Sequence, residues 1–293
     1  MFTIRSRSLE ACVLDPVADR ARMGGRYCWG GYCNRVRDSE GRELMSGPEF
    51  PELPSAFNGE GIPEVFRFDD KHEHRLLTID ETGNGMIIGC GLARVDPVKW
   101  SSLGDVVEPC TWEVASDDAR IEMRTAQAYA DWACNVTRVL RLDGRTLYSE
   151  TVLENTGKEF TLQWYAHPFF PLTDGLCRCR FKVPTTLPDP DALRPEEKGT
   201  GYRCADDGWI EMIPDFDWEK GCFKRLKREP GQPLDAEVRH PLCGSVRVRG
   251  DFPVDIITVW ANARTLSIEP YLKRTMGENE SYAWSLQYKF GEG

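Results

Sequence analysis

The stretch "QAYADWACNVTRVLRLDGRTLYSETVLENTGKEFTLQWYAHP", residues 127–168, decides the fold class. Three runs, 127–142, 145–155 and 158–168, alternate apolar and polar residues, with Asp143-Gly144 and Asn155-Thr156-Gly157 between them. Period-two alternation sends successive side chains to opposite faces of a strand. Asp-Gly and Asn-x-Gly supply the positive φ of tight turns, so the three runs are expected to form an antiparallel meander. Outward from this stretch, period-two segments separated by turn residues continue almost throughout, and helical periodicity is nearly absent. The chain reads as all-β.

The last run, "SYAWSLQYKF" (281–290), puts Tyr282, Trp284, Leu286, Tyr288 and Phe290 on one face and Ala283, Ser285, Gln287 and Lys289 on the other. Just before it, "TVWANARTLSIEPYL" (258–272) alternates as well. Leu266 and Ile268 share one face there, and Ser267, Glu269 and Tyr271 share the opposite one. Pro- and charge-rich segments at 46–64 and 184–235 read as long irregular loops on one domain, because the β-signals on either side are alike in composition. Residues 1–293 are thus expected to form a single domain.

With Lys+Arg 37 and Asp+Glu 47, the net charge of −10 argues against nucleic acid and anionic membranes as partners. The expected partner is a small or neutral molecule. No run of 18 apolar residues is present, and "MFTIRSRSLEACVLD" (1–15) lacks the apolar core of a secretory signal, so a cytoplasmic location is expected. The 11 cysteines form no CxxC pair and are expected to be mostly buried thiols. Asn135-Val-Thr and Asn279-Glu-Ser match the glycosylation pattern, which has no meaning without export. A GxSxG elbow and a phosphate loop are both missing, which excludes those enzyme classes.

Of the 4 histidines, His167 ends a strand-like run and precedes a proline. Proline holds the residue before it extended and removes a ladder donor, so the sheet should bend or open here. Gln163, Tyr165 and His167 share one face, a set suited to sugar hydroxyls; a half-buried histidine bonded to a loop carbonyl would give the same pattern. Glu269, flanked by Ile268 and Pro270, is a carboxylate in a strand, which suits either a catalytic group or a salt-bridged edge residue. Together the two could serve as a general acid/base pair. His72 and His74 in "KHEH" have a spacing that can chelate zinc, but no third ligand is marked. "GEGIPEVFRF" and "GCGLAR" lack nucleotide-loop spacing and read as tight turns or close backbone contacts. The 9 tryptophans and 9 tyrosines would serve carbohydrate stacking or an aromatic core equally well.

Taken in order, "GGRYCWGGYCNRV" (24–36), "GCGLARVDP" (89–97), "LYSETVLENTGKEFTLQWYAHPFF" (147–170) and "TLSIEPYLKRTMGENESYAWSLQYKF" (265–290) resemble the aldose 1-epimerase, or galactose mutarotase-like, family. The resemblance implies a β-supersandwich of twisted antiparallel sheets with a sugar groove on its concave face. It also implies interconversion of α and β anomers without a cofactor or metal, with His167 as general acid and Glu269 as general base. Arg94, Glu64 and Trp260 are candidate sugar-binding residues. Two departures stand out: the family's second substrate-binding histidine has no counterpart, and Cys28 stands where an acidic residue is expected. They leave the sugar open, as the sequence does the oligomeric state. A non-catalytic carbohydrate-binding protein on the same fold is the alternative, and a lyase acting on acidic polysaccharide is a more distant one.

Overall fold

A computed structural model of the chain describes residues 1–68, 83–94, 105–188 and 201–291. Among these residues, apart from a short helix at Arg20–Met23, the regular elements are strands, and every described pairing between them is antiparallel. One sheet has ten strands, in the order β16 (Tyr202–Cys204), β17 (Ile210–Met212), β14 (Arg178–Phe181), β20 (Pro233–His240), β21 (Gly244–Pro253), β24 (Ser281–Phe290), β11 (Thr146–Asn155), β10 (Trp132–Asp143), β9 (Arg120–Tyr129) and β8 (Glu113–Ser116). The second has six: β18 (Cys222–Arg225), β22 (Ile256–Ala261), β23 (Thr265–Met276), β12 (Phe160–Ala166) and β4 (Glu64–Phe68), with β13 (Phe169–Pro171) also paired to β23. Two three-stranded sheets, β1 (Phe2–Arg5) to β2 (Leu9–Val13) to β3 (Cys33–Asp38) and β5 (Asn84–Ile87) to β6 (Gly91–Arg94) to β7 (Asp105–Pro109), complete the frame with a small ribbon of β15 (Thr185–Thr186) and β19 (Lys227–Arg228).

The two large sheets pack face to face, as the alternation of β24 requires: Trp284, Leu286, Tyr288 and Phe290 are buried, while Ala283 and Lys289 are exposed. Trp164 of β12 meets Trp284 at 5.4 Å and Phe252 of β21 at 5.3 Å, both edge to face, the arrangement that aromatic quadrupoles favour. Strand β23 is buried on both faces from Thr265 to Pro270. Its Leu266 and Ile268 join the inter-sheet core, and its other face belongs to the site.

The expected meander holds in part. Strands β10 and β11 form the hairpin at Asp143-Gly144, where Gly144 has φ 55°. The first run is split, however: Ala130, with φ 52°, turns β9 into β10, and an alanine gives no turn signal. Strand β12 does not pair with β11 either, because β24 occupies that edge. Instead the chain crosses at Asn155 into the six-stranded sheet. The Asn155 amide donates to the carbonyls of Lys158, Met276 and Gly277, and its Oδ1 accepts from the Gly157 N–H, so the Asn-Thr-Gly segment is a bonded corner rather than a hairpin turn. Glycine is required at 157 by close approach, since a Cβ would lie 2.4 Å from the Ala133 nitrogen.

The segment 184–235 is less irregular than expected. Within it, β16 and β17 extend the ten-stranded sheet and β18 edges the six-stranded one. The residues of 46–64 before β4 carry no strand. In "GCGLAR" a Cβ on Gly91 would meet the Glu108 carbonyl oxygen at 2.1 Å, the close backbone contact expected there. Nine of the cysteines are buried, Cys110 is intermediate and Cys204 is exposed, and all are free. His72 and His74 lie outside the described residues. No helix among the described residues is long and apolar enough to cross a membrane.

Candidate functional site

Strand β12 ends at Ala166, and Pro168 separates it from β13, so the sheet opens at His167. The chain stays anchored there because the His167 N–H donates to the Pro63 carbonyl (2.8 Å) and the Phe169 N–H to that of Gly61 (2.8 Å). A side chain at Gly61 would strike the Cys33 carbonyl oxygen at 2.4 Å, and its φ of 70° also favours glycine.

Register assembles the rest of the site. Tyr165 pairs with Tyr271, Glu269 with Thr258, and Ser267 with Trp260, so all six lie on one face of the six-stranded sheet, opposite the core. On that face His167 Nε2 lies 3.2 Å from Glu269 Oε1, with both side chains more than nine-tenths buried. Glu269 Oε2 accepts hydrogen bonds from Thr258 Oγ1 (3.0 Å) and the Tyr271 hydroxyl (3.0 Å). Such donors are what a buried carboxylate needs. Rings fix the imidazole: Phe169 stacks on it at 4.5 Å, Tyr27 and Trp260 meet it edge to face at 6.2 and 6.1 Å, and Tyr165 lies 6.2 Å away. A second apolar cluster, including Tyr27, Trp29, Tyr32, Ile87, Cys90 and Ala93, covers the Tyr165 side of this face.

His167 and Glu269 are thus brought together, and the half-buried Trp260 stands beside them. Glu64 requires a correction. It pairs with Ala166 and faces the inter-sheet core, where its Oε2 meets Arg138 Nη1 at 2.6 Å and accepts from Trp164 Nε1 at 2.9 Å, while Ser149 Oγ donates to Oε1 at 2.6 Å. Strand alternation turns it away from His167, so it does not line a groove with that residue. Arg94, the last residue of β6, is exposed, and its described hydrogen bond runs to Asn84 Oδ1 (3.2 Å), not to the pair. Cys28 is buried, and burial pushes its thiol up to about 12, which favours the neutral form. Among the described residues no group of three or more His, Cys, Asp or Glu could hold a metal ion.

No local signal in the sequence marks Thr258, Phe169 or Tyr27. Tyr271 was legible as a face-mate of Glu269, but the role of Thr258 depends on the β22–β23 register, which alternation does not reveal.

An all-β double-sheet frame with a buried histidine–carboxylate pair on its outer face defines the class of protein. The chain matches no family model and no curated protein. Solved structures do match over nearly the whole chain. A galactose mutarotase related enzyme from Lactobacillus acidophilus is similar at 11% identity with a TM-score of 0.62, over 99% of this chain and 97% of that one. A galactose mutarotase-like protein from Lactobacillus casei gives 12% identity and a TM-score of 0.60, over 99% of both chains. A galactose 1-epimerase from Lactobacillus acidophilus gives 12% and 0.52, over 99% and 94%. The fold is therefore the galactose mutarotase-like fold.

Proposed function

We propose that the protein is an aldose 1-epimerase-like isomerase that interconverts the α and β anomers of a small sugar. The observation that carries this reading is the 3.2 Å approach of His167 Nε2 to Glu269 Oε1 on the outer face of the six-stranded sheet. The two oxygens bonded to an anomeric carbon are separated by that one carbon, so a single hemiacetal can engage both groups at once.

In the reaction Glu269 Oε1 takes the proton of the anomeric hydroxyl while His167 Nε2 gives a proton to the ring oxygen. The ring C–O bond breaks with its electron pair passing to the ring oxygen, and the anomeric hydroxyl becomes the carbonyl of a free aldehyde. Rotation about C1–C2 presents the other face. The freed hydroxyl then attacks as His167 recovers its proton and Glu269 returns its own, which restores both groups. Both steps are proton transfers, and neither draws on a cofactor. Trp260 is suited to stack on the apolar face of the sugar. We take the chain as one domain acting in the cytoplasm on a small sugar.

A carbohydrate-binding role on the same fold would leave the histidine and glutamate free to drift apart, and their close register favours catalysis instead. The test is NMR exchange between anomeric protons across D-galactose, D-glucose, D-mannose and the 6-phosphates of galactose and glucose. Wild-type protein should accelerate exchange of at least one sugar. His167→Asn and Glu269→Gln should each lower kcat by about 10²- to 10⁴-fold, the span general acid/base groups contribute, with the fold retained. Binding without exchange above the buffer rate would establish the sugar-binding role.

A further inference from the structure

We infer that Thr258 and Tyr271 are positioning residues that hold Glu269 so that Oε1 alone is the proton acceptor; this rests on the acid/base reading above. A carboxylate has two chemically equivalent oxygens and a side chain that rotates to exchange them. Here the two have different surroundings. Oε2 accepts two hydroxyl donors at 3.0 Å, while Oε1 faces His167 Nε2 at 3.2 Å.

Both donors are fixed by the sheet. Thr258 is the direct cross-strand partner of Glu269, is 2 % exposed, and is β-branched, which restricts its χ1. Tyr271 lies two residues beyond Glu269 on the same face of β23. Its ring lies flat on Tyr165, its own cross-strand partner, at 4.5 Å and an interplanar angle of 14°. Three adjacent strands, β22, β23 and β12, therefore each contribute one part of the clamp. Glu269 itself is 4 % exposed, so water has little access to replace either donor. Rotation that carried Oε1 away from His167 would break both hydroxyl bonds together. The clamp thus sets the direction in which the carboxylate presents its lone pair, with both hydroxyls on Oε2 and neither on Oε1.

The test uses the full chain, three single variants and the Thr258→Val/Tyr271→Phe double variant. Tyr271→Phe keeps the ring on Tyr165 and removes the hydroxyl. Thr258→Val removes the hydroxyl at nearly constant shape, and Thr258→Ser keeps the hydroxyl while removing the methyl. Anomeric exchange is followed on the fastest member of the sugar panel, and the His167 imidazole is followed by nitrogen–proton correlation, assigned against His167→Asn. The expected result is that Tyr271→Phe and Thr258→Val each lower kcat about tenfold with KM within about twofold, while Thr258→Ser stays near wild type. Removing both hydroxyls together should cost about 10²-fold, the penalty of a misplaced catalytic group. The His167 Nε2 resonance should shift in Tyr271→Phe and Thr258→Val and not in Thr258→Ser.

Unchanged kcat in both hydroxyl-deleting variants would overturn the inference. So would a rise in KM alone, which would make the two residues sugar contacts, or a Thr258→Ser variant as impaired as Thr258→Val, which would reduce Thr258 to packing. If no sugar of the panel exchanges in wild type, the acid/base reading fails on its own. The Nε2 resonance then still decides the clamp: a shift in the two hydroxyl-deleting variants supports it, and no shift overturns it.

Discussion

Glu64 is held between the large sheets by Arg138, Ser149 and Trp164, and the side chains of Glu64 and Arg138 are only 3% and 1% exposed. Removing one member of such a pair leaves the other as an uncompensated buried charge, which costs about 3–5 kcal/mol. Glu64→Gln should therefore lower the urea midpoint by a corresponding amount while leaving the turnover of the remaining folded protein near wild type. A variant that kept its stability but lost sugar turnover would return Glu64 to the groove. His240 offers a second residue-scale test. Its Nε2–H donates to the Leu44 carbonyl (2.8 Å), and its Nδ1 accepts from the N–H groups of Leu242 and Cys243. Burial holds its pKa below the ordinary 6.5, partly offset by the Leu44 bond. The unfolded chain then binds more protons below that pH, so this contribution to stability is present above about 6.5 and is lost as pH falls toward the folded pKa. Urea unfolding at about pH 7.5 and about pH 5.5 should show a loss that His240→Gln reduces; equal losses in both proteins would count against it. In the sequence, His167 is marked by its proline and Glu269 by its apolar flanks. The place of Glu64 is not legible in this way, because Glu64 and His167 differ by which face of a sheet they occupy, and that depends on how β4 is paired with β12.

At the scale of elements, Asn155 decides where the chain changes sheets. Its amide is shared among three carbonyls at 2.9–3.1 Å from two segments, the turn at Lys158 and the end of β23 at Met276 and Gly277. Asn155 is fully buried, so Asn155→Ala would leave acceptors without donors at a cost of about 1–3 kcal/mol. The effect should fall on stability alone, seen as a lower urea midpoint with KM unchanged, because the corner lies at the far end of β12 from His167. A raised KM with an unaltered midpoint would mean that the corner governs the site instead. The same corner marks the limit of what alternation reveals. Period-two patterning assigned the β10, β11 and β12 runs to strands, and Asp143-Gly144 closed one hairpin as expected. Asn155-Thr156-Gly157 looks like a second such turn, yet what it encodes is a set of bonds to β23, more than a hundred residues later in the chain. A local signal cannot distinguish these two uses. The same holds for β16 to β18, whose short strands are ordered by the sheet edges they join rather than by a strong pattern of their own.

For the whole molecule, the inter-sheet core draws on residues from Ile4 to Phe290 and is shared by both large sheets. Strand order explains why the sequence alone could not lay this out: β24 sits between β11 and β21, so that Leu286 lies beside Ser149 on one side and Gly250 on the other. Alternation marks the inward residues of each strand, but the neighbours come from the whole chain, and the resemblance in motif order supplied what periodicity could not. Because the core spans sheets assembled from distant segments, neither large sheet can keep its apolar face covered once the other leaves. The single-domain reading therefore predicts one cooperative transition. Tryptophan emission draws on all 9 tryptophans, among them Trp164 and Trp284, which touch across the layers, and far-UV circular dichroism reports the strands themselves. On urea unfolding the two midpoints should coincide, and Glu64→Gln should move both together, since the Arg138–Glu64 pair joins β10 of one sheet to β4 of the other. If emission changed well before the strands were lost, the layers would separate as independent units. The site on the outer face of the six-stranded sheet would then have to draw its order from β12, β22 and β23 alone.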